Sequence, residues 1–314
     1  MLQLDDIKQA EKRLRPYVYH TPLLRLYGLD DLLHCQVYVK PECMQITHSF
    51  KIRGALNKML QLSAEDLKKG VVTASSGNHG RGVAYAAKLL GTKATVIIPD
   101  HAPAVKVRAV EALGARVIRC EKAKRFAIAE KLRDEEGLCY IHPFDDYDVM
   151  AGQGTISLEI LQDLSDVTAM LVPLGGGGLT SGTATALKAL SPATRIYACE
   201  PERIPRFSVS LNAGAPTTVP MLDTVADGVA TLRPGDKTLP IVKSKVDQVL
   251  DVPEKFLLPA LKVLLEEGKI LAEPSSAIGI AAVLGGLIHF QPTDKVVFLI
   301  SGGNLDMDVV KNLV

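Results

Sequence analysis

The chain has 314 residues, a length that favours two lobes or two domains over one hydrophobic core. Hydrophobic residues make up 47% of the chain and aromatic residues only 5%, which is typical of an α/β protein. Its 36 basic and 35 acidic residues leave a formal net charge of +1. Such a balance does not indicate binding to nucleic acid or to an anionic membrane, so we expect a small-molecule substrate.

The five cysteines are odd in number and lack the spacing of a zinc site or a disulfide framework: Cys35, Cys43, Cys120, Cys139 and Cys199. Most of them lie in apolar, strand-like segments, which favours reduced thiols in an intracellular protein. The first residues show no secretory signal, and the longest apolar run, 277–290, is too short to span a bilayer. We therefore expect a soluble, cytoplasmic protein.

Apolar periodicity predicts a first helix over residues 4–18 and a short strand over residues 36–39. A third apolar-periodic segment follows Lys51, which would place this lysine at a helix N-terminus. The helix dipole and partial desolvation both favour the neutral amine there. A neutral amine can react with an aldehyde cofactor, although an isolated lysine is more often an exposed residue on an ordinary helix.

Strand and helix patterns then alternate along the chain. Strands are predicted at 71–75, 94–99, 116–120, 139–142, 170–173, 195–200 and 296–300. Helices are predicted at 77–90, 104–113, 125–136, 154–164, 181–190, 253–267 and 275–287. We interpret the polar residues 145–148 as a linker and residues 201–245 as rich in loops. The alternation predicts parallel sheets covered by helices.

Four consecutive glycines, Gly175 to Gly178, join a predicted strand to a predicted helix. Backbone N–H groups without side chains can surround an anion, and the helix dipole favours phosphate at this point. The alternative is a flexible surface turn, which is less frequent directly after an apolar strand. The spacing is not G-x-G-x-x-G, so a nicotinamide dinucleotide is the weaker interpretation.

Two polar turns also follow predicted strands. Residues 75–79 join a strand to a helix, and their hydroxyl and N–H groups suit a carboxylate, while Asn78 suits a phenolic oxygen. The alternative is a simple helix cap. Residues 301–304 follow the last strand and either place the Ser301 hydroxyl at the carboxyl edge of the sheet or form a tight turn. His79 taken alone is more typical of a structural histidine.

In this order along the chain, the motifs resemble fold type II pyridoxal-phosphate enzymes, and within them the serine racemase and serine–threonine dehydratase family. The matching segments are 49–55, 75–80, 151–155, 175–178, 226–228, 273–274 and 301–304. The resemblance implies a two-domain α/β fold like that of the tryptophan synthase β subunit, with parallel twisted sheets flanked by helices. It implies a large cofactor-binding domain of residues 1–63 and 147–314, and a small domain of residues 64–146 that carries the substrate loop.

The resemblance also implies a role for each matching residue. Lys51 matches the lysine that forms the Schiff base with pyridoxal 5'-phosphate and moves the α-proton. The implied cofactor contacts are Phe50, Lys51, Asn78, Gly175, Gly176, Gly177, Gly178, Leu179, Gly228, Glu273 and Ser301. The implied substrate contacts are Ser75, Ser76, Gly77, Asn78, His79 and Arg125. Ser301 would face the pyridine nitrogen, and a neutral hydroxyl there would not hold that nitrogen protonated.

The implied reaction is dehydration and deamination of L-serine or L-threonine to a 2-oxo acid and ammonia. In racemase-like relatives a serine at the Ser76 position lies across the cofactor from the lysine. Lys51 and Ser76 together therefore predict serine racemisation as a second activity, with mere carboxylate binding by Ser76 as an equal alternative. Arg125 keeps threo-3-hydroxyaspartate open as the substrate. The remaining alternatives are a β-replacement enzyme of this fold and a nucleotide-binding regulatory protein.

Two positions depart from the family pattern. His48 stands where the family usually has glycine, so we expect a changed substrate size or an added proton carrier. Glu200 matches a ligand of the divalent cation of the racemase branch, but Arg206 stands at the usual acidic position. We expect the guanidinium to replace the ion, because it would repel a nearby cation. The resemblance also implies a homodimer, and from the balanced charge we expect no nucleic-acid or membrane partner.

Overall fold

The computed structural model describes residues 1–75, 77–100, 102, 104–311 and 313, with the backbone alone at residue 105. Its helices are α1 (Leu4–Leu14), α2 (Asp30–Leu33), α3 (Lys51–Met59), α4 (Ala64–Lys69), α5 (Asn78–Leu90), α6 (Ala104–Glu111), α7 (Arg125–Glu136), α8 (Tyr147–Asp163), α9 (Gly178–Leu190), α10 (Arg206–Ala213), α11 (Thr238–Lys245), α12 (Leu257–Glu266), α13 (Ile278–Leu284) and α14 (Met307–Lys311). Its strands are β1 (Leu24–Arg25), β2 (Gln36–Pro41), β3 (Val71–Ala74), β4 (Ala94–Pro99), β5 (Arg116–Cys120), β6 (Cys139–Tyr140), β7 (Ala169–Pro173), β8 (Arg195–Pro201), β9 (Gln248–Val252) and β10 (Lys295–Ile300).

The strands form two separate sheets. The larger sheet has the order β1-β2-β10-β7-β8-β9, and only its β1–β2 pair is antiparallel. The smaller sheet has the order β5-β4-β3-β6 and is parallel throughout. Strands β4 and β7 are buried at every position, as expected for parallel strands that are covered on both faces. The predicted α/β fold with parallel sheets flanked by helices is confirmed.

Helix α8 packs very closely against α3 and α9 because glycines lie at both contacts. A Cβ atom on Gly152 would lie 2.5 Å from the carbonyl oxygen of Arg53. A Cβ atom on Gly154 would lie 2.7 Å from the carbonyl oxygen of Gly182. Larger residues would push the helices apart, since backbone atoms cannot move out of the way of a side chain as a flexible side chain can. The glycines of the 151–155 motif therefore serve helix packing.

A buried ion network lies beside α3. The fully buried Arg53 donates from Nε to Glu42 Oε2 at 2.8 Å and from Nη1 to Glu159 Oε1 at 2.6 Å. The equally buried Lys40 donates to Glu159 Oε2 at 2.6 Å. These charge-assisted hydrogen bonds join the end of β2, the first turn of α3 and the middle of α8. They fix the turn that begins at Lys51.

Two predicted boundaries are wrong. The first helix ends at Leu14, where a 2.8 Å bond from the Tyr17 N–H to the Leu14 carbonyl tightens the chain into a turn. Residues 145–148 are not a linker, because helix α8 already begins at Tyr147. Asp146 Oδ1 accepts the N–H groups of residues 148 and 149 at 2.8 and 3.1 Å and so caps the helix.

The loop-rich prediction for residues 201–245 is wrong in part, because α10 and α11 lie within them. Helix α10 starts where the carboxylate of Glu200, at the end of β8, accepts the Phe207 N–H at 3.0 Å and the Ser208 N–H at 2.8 Å. This cap comes from outside the local sequence window, so periodicity alone does not reveal it. The edge strand β9 was also missed, since it exposes Gln248 and Asp251.

The helices and the cysteines also bear on the expectations from the sequence. None of the helices in the described ranges combines the length and the apolar character that crossing a bilayer requires. Each of the five cysteines is free; four are buried and Cys139 is half-buried.

Replacing Arg53 by leucine is expected to lower the free energy of unfolding by about 3–5 kcal/mol, because Glu42 and Glu159 would stay buried without their partner. Urea unfolding at neutral pH measures this change. The matched control is Arg116→Leu, whose exposed pair with Glu136 spans 4.0 Å and should contribute less than about 1 kcal/mol. Equal effects of the two substitutions would show that the buried network does not stabilise the fold.

Candidate active site

A cavity of about 490 Å³ lies between the two sheets. Its lining includes Ala74 and Pro99, the last residues of β3 and β4 in the smaller sheet. It also includes Pro173 at the end of β7 and Ser301 directly after β10 in the larger sheet. The carboxyl ends of both parallel sheets thus face one cavity, which is where open α/β sheets bind their ligands.

The cavity brings together all the predicted site residues that the structure describes: Phe50, Lys51, Ser75, Gly77, Asn78, His79, Arg125, Gly175, Gly176, Gly177, Gly178, Leu179, Gly228, Glu273 and Ser301. Ser76 lies outside the described residues. Glu200 and Arg206 are buried elsewhere, on the far side of the glycine turn.

Lys51 is the first residue of α3, as the apolar periodicity predicts. Its Nζ donates to the Pro143 carbonyl at 2.7 Å and lies 5.1 Å from the centre of the Phe50 ring. Burial lowers the pKa of Lys51 to about 8, although the charge of Glu273 acts in the opposite direction. At pH 7.5 roughly a quarter of such amines are neutral, against about one in a thousand for an exposed lysine.

The glycine turn offers backbone donors to the cavity. Within the described residues, the N–H groups of Gly176 and Gly177 have no acceptor, and the first N–H groups of α9 are free because a helix leaves them unpaired. Gly177 has a φ of +95°, and a Cβ there would lie 2.7 Å from the Phe207 ring. A Cβ on Gly176 would lie 2.3 Å from the Phe144 ring. Only glycine fits this turn, and its free N–H groups suit a phosphate.

A hydrogen-bonded polar wall holds Asn78 in one orientation. Its Nδ2 donates to both carboxylate oxygens of Glu273 at 2.9 and 3.0 Å, and its Oδ1 accepts from Asn304 Nδ2 at 2.7 Å. Burial raises the pKa of Glu273, an effect that the bond from Asn78 opposes. A Cβ on Gly228 would lie 2.4 Å from Ser275 Oγ, so the wall also requires glycine there.

Ser301 is buried and is held by a second serine. Its Oγ lies 3.0 Å from Ser276 Oγ, which also accepts from the Gly302 N–H at 2.8 Å and donates to the Gly302 carbonyl at 2.8 Å. Since the single proton of Ser276 goes to that carbonyl, Ser301 donates its own proton either to Ser276 or to a ligand in the cavity. A neutral hydroxyl in this position carries no charge that would keep a ring nitrogen protonated.

His79 is buried and neutral. Its Nε2 lies 3.0 Å from the Ile141 carbonyl, which can only accept, so the ring proton is on Nε2. Burial and the charge of Lys51 lower the pKa of His79 to about 3. This histidine ties α5 to the chain after β6, in agreement with its structural interpretation.

His48 does not line the cavity with the other predicted residues; it is exposed and has a φ of +58°. Its carbonyl accepts from the Gly303 N–H at 2.9 Å. The left-handed backbone explains why glycine suits this position better than histidine.

Three basic residues that sequence reasoning missed also line the cavity: Arg81, Lys106 and Lys122. Arg81 follows Asn78 by three residues on α5, so helical spacing could have revealed it. No local pattern marks Lys106 and Lys122 on the sequence.

The site therefore combines a partly neutral amine beside an aromatic ring, a glycine turn with N–H groups that are free within the described residues, and a neutral serine hydroxyl. Such an arrangement fits a phosphorylated aromatic aldehyde, the chemical class of pyridoxal phosphate. Residues 14–302 match the family described as pyridoxal-phosphate dependent enzyme, and the chain belongs to this family. The resemblance inferred from the motifs is thereby confirmed.

Within this family, the chain is similar to proteins named threonine ammonia-lyase and serine racemase. The chain is 41% identical to the L-threonine ammonia-lyase of Thermotoga maritima, over 100% of this chain and 78% of that protein. It is 39% identical to the serine racemase of Oryza sativa subsp. indica, over 98% of this chain and 92% of that protein. The solved structure of maize serine racemase superposes with a TM-score of 0.95 at 38% identity, covering 99% of this chain and 96% of that one.

The rate at which the apoprotein captures pyridoxal phosphate is expected to rise with pH around a midpoint near 8, because burial lowers the pKa of Lys51 to about 8. Stopped-flow absorbance from about pH 6.5 to 9.5 measures this rate. Borohydride reduction and peptide mapping then locate the modified residue. Lys51→Ala should capture no cofactor covalently, whereas Lys69→Ala on α4 serves as the control. A rate that still rises tenfold per pH unit at the upper end of this range, with no approach to a plateau, would contradict the lowered pKa.

Proposed function

We propose that this protein is a pyridoxal-phosphate-dependent ammonia-lyase that converts L-serine or L-threonine to a 2-oxo acid and ammonia. The proposal rests on one observation: a single cavity is lined by the Lys51 amine, by the neutral hydroxyl of Ser301 and by the glycine turn, whose backbone N–H groups are free within the described residues. The relative named L-threonine ammonia-lyase, at 41% identity, supports this reaction, and the relative named serine racemase, at 39% identity, supports a small hydroxy-amino acid as the substrate.

The roles of the residues follow from their positions. When bound, pyridoxal phosphate supplies an aldehyde that joins the substrate amine and a conjugated ring that accepts electrons from Cα. Residues 175–179 would hold its phosphate, with Phe50 and Gly228 beside the ring. The neutral Lys51 amine would take the α-proton, since its lowered pKa of about 8 leaves a base available near neutrality. The N–H groups at the start of α5 would bind the α-carboxylate.

We propose serine racemisation as a second activity, through Lys51 on one face of the substrate and Ser76 on the other. Two-face proton exchange needs two such groups. The supporting observations are the position of Ser76 in the 75–79 segment and the relative named serine racemase. The alternative role for Ser76 is binding of the substrate carboxylate alone.

We propose a large domain of residues 1–63 and 147–314 and a small domain of residues 64–146. In support, the four strands of the smaller sheet all lie between residues 71 and 140. We further propose a cytoplasmic homodimer. The free cysteines support a reducing compartment, and the homodimer is what the family resemblance implies.

We propose that Arg206 takes the place of a divalent cation. Its guanidinium lies 3.6 Å from Glu200 Oε2 and donates to the carbonyls of Gly175 at 3.1 Å, Ile204 at 2.8 Å and Leu174. Carboxylate and carbonyl oxygens are also the ligands of magnesium and calcium, and a fixed guanidinium among them would repel such an ion. Burial raises the pKa of Glu200 to about 7, which Arg206 opposes.

Magnesium is therefore expected to change kcat/KM of the wild-type enzyme less than about twofold relative to a chelator control, because the cation position is filled. Arg206→Asp should instead gain a melting temperature that rises with magnesium, since the ion then replaces the lost charge. Arg203→Asp, an exposed neighbour, is the matched control. A severalfold magnesium activation of the wild type would contradict the proposal.

The activity is tested by incubating the holoenzyme with L-serine, D-serine, L-threonine and threo-3-hydroxyaspartate. A coupled assay measures 2-oxo acid, and chiral chromatography measures D-serine formed from L-serine. We expect 2-oxo acid from L-serine or L-threonine, no product with Lys51→Ala, and D-serine from L-serine. Because a positioned acid–base group contributes about 100-fold or more, Ser76→Ala should lower D-serine formation at least that much more than oxo-acid formation.

Two results would contradict parts of the proposed function. Absence of D-serine would reduce Ser76 to a carboxylate contact. Formation of cysteine from O-acetylserine and sulfide, without oxo acid, would favour the β-replacement alternative.

A further inference from the structure

Two serine hydroxyls from different elements meet at one wall of the cavity. Ser301 lines the cavity directly after β10, and its Oγ lies 3.0 Å from the Oγ of Ser276. Ser276 lies in a short 3-10 turn, Pro274–Ala277, just before α13. It is 1% exposed and does not line the cavity, so any effect of its hydroxyl on a ligand has to pass through Ser301. Within the described residues, Ser276 is the one polar partner of the Ser301 hydroxyl.

Backbone groups hold the Ser276 oxygen in place. It accepts the Gly302 N–H at 2.8 Å, and its own proton is donated to the Gly302 carbonyl at 2.8 Å. The same carbonyl also accepts the Glu273 N–H at 3.0 Å. A carbonyl oxygen has two lone pairs, so the Gly302 carbonyl keeps one hydrogen bond even when the Ser276 hydroxyl turns away from it.

The proton of Ser301 has two possible acceptors. A serine hydroxyl has one proton and two acceptor lone pairs. With the proton of Ser276 on the Gly302 carbonyl and one lone pair used by the Gly302 N–H, one lone pair of Ser276 is left for Ser301. In this first arrangement Ser301 donates to Ser276 and offers the cavity only an acceptor.

A ring nitrogen beside Ser301 changes this arrangement. An unprotonated pyridine nitrogen can only accept, so it takes the hydrogen bond of the Ser301 hydroxyl. If Ser276 kept its proton on Gly302, lone pairs of the two serine oxygens would then face each other across 3.0 Å. Rotation of the Ser276 hydroxyl about its Cβ–Oγ bond removes this conflict, because its proton then points to Ser301 Oγ. The rotation costs only one of the two hydrogen bonds to the Gly302 carbonyl.

We propose that Ser276 is a positioning residue that turns its hydroxyl toward Ser301 when the cofactor binds, so that Ser276, Ser301 and the ring nitrogen form one chain of hydrogen bonds. This inference rests on the proposed function, because it needs Ser301 to face the ring nitrogen. A hydroxyl that accepts one hydrogen bond donates the next one more strongly in a buried site. The pair of serines would therefore withdraw more electron density from the ring than Ser301 alone, while each proton stays on its own serine.

The test compares the binding of two aldehydes to the full-length apoprotein. One is pyridoxal phosphate, and the other is its analogue in which a C–H group replaces the ring nitrogen. Equilibrium dialysis gives the ratio of the two affinities, which cancels the contacts that both aldehydes share, such as those of the phosphate and of Lys51. Ser301→Ala should lower the preference for pyridoxal phosphate about fivefold, as expected for the loss of one hydrogen bond. Ser276→Ala should lower it at least about twofold.

Three further variants separate the hydroxyl from general effects of the substitution. Ser276→Thr keeps the hydroxyl and should keep the wild-type ratio, whereas Ser276→Cys has a weaker donor and should give an intermediate ratio. Ser157→Ala is the matched control, because it removes another buried serine hydroxyl, one that donates to the Thr183 carbonyl at 3.0 Å on α8, away from the cavity. This control should leave the ratio unchanged.

A spectroscopic measurement on the holoenzyme accompanies the dialysis. With ¹⁵N in the ring of the cofactor, the chemical shift of this nitrogen reports its hydrogen bond directly. The shift in Ser276→Ala should move from the wild-type value toward the value in Ser301→Ala, and the shift in Ser157→Ala should stay at the wild-type value.

The outcomes distinguish this inference from the proposed function. If Ser301→Ala lowers the preference while Ser276→Ala leaves it unchanged or raises it, the inference is overturned and the proposed function stands. If Ser301→Ala also has no effect, Ser301 does not contact the ring nitrogen, and the inference fails together with that role of Ser301. If the binding pattern holds but the enzyme consumes no hydroxy-amino acid, the proposed function fails and the role of Ser276 stands.

Discussion

The position of the Lys51 amine depends on the buried charge of Arg53, two residues further along α3. Two carboxylates, Glu42 and Glu159, hold this guanidinium without access to water. Because both carboxylates come from other elements, the first turn of α3 cannot shift without leaving charges unpaired in the interior. The close contact at Gly152 on α8 adds a steric limit to the electrostatic one. A lysine at the edge of so constrained a turn keeps its amine where burial lowers its pKa.

The cavity receives a different contribution from each sheet. Strands of the larger sheet deliver the glycine turn and Ser301, while the smaller sheet delivers the start of α5 with Asn78 and Arg81. Contacts between these two groups are polar, as with the bonds from Asn78 to Glu273. Outside the cavity, Ile52 and Leu56 of α3 share an apolar core with Val71 of β3 and Val83 of α5. The two parts are therefore held together by polar contacts at the cavity and by an apolar core beside it.

The sequence predicts the features that depend on local pattern. Alternating strands and helices, the helix start at Lys51 and the turn at residues 175–178 all follow from periodicity and from glycine chemistry. Features that depend on distant partners are not predicted. The carboxylate of Glu200, at the end of β8, accepts an N–H group at the start of α10, and no pattern in the sequence near α10 indicates this cap. Arg81 has an ordinary helical context, and only the fold shows that it lines the cavity.

The residues on both sides of the cavity together determine which reaction a bound substrate would undergo. Under the proposed function, the neutral hydroxyl of Ser301 would leave the ring nitrogen uncharged, and such a ring would favour loss of a β-substituent over storage of the electrons drawn from Cα. Elimination then depends on how the Cβ–O bond is oriented. Under the proposed function, a substrate held only at its α-carboxylate would rotate about Cα–Cβ, so elimination would compete with racemisation whenever that rotation takes the Cβ–O bond away from the perpendicular to the conjugated ring system.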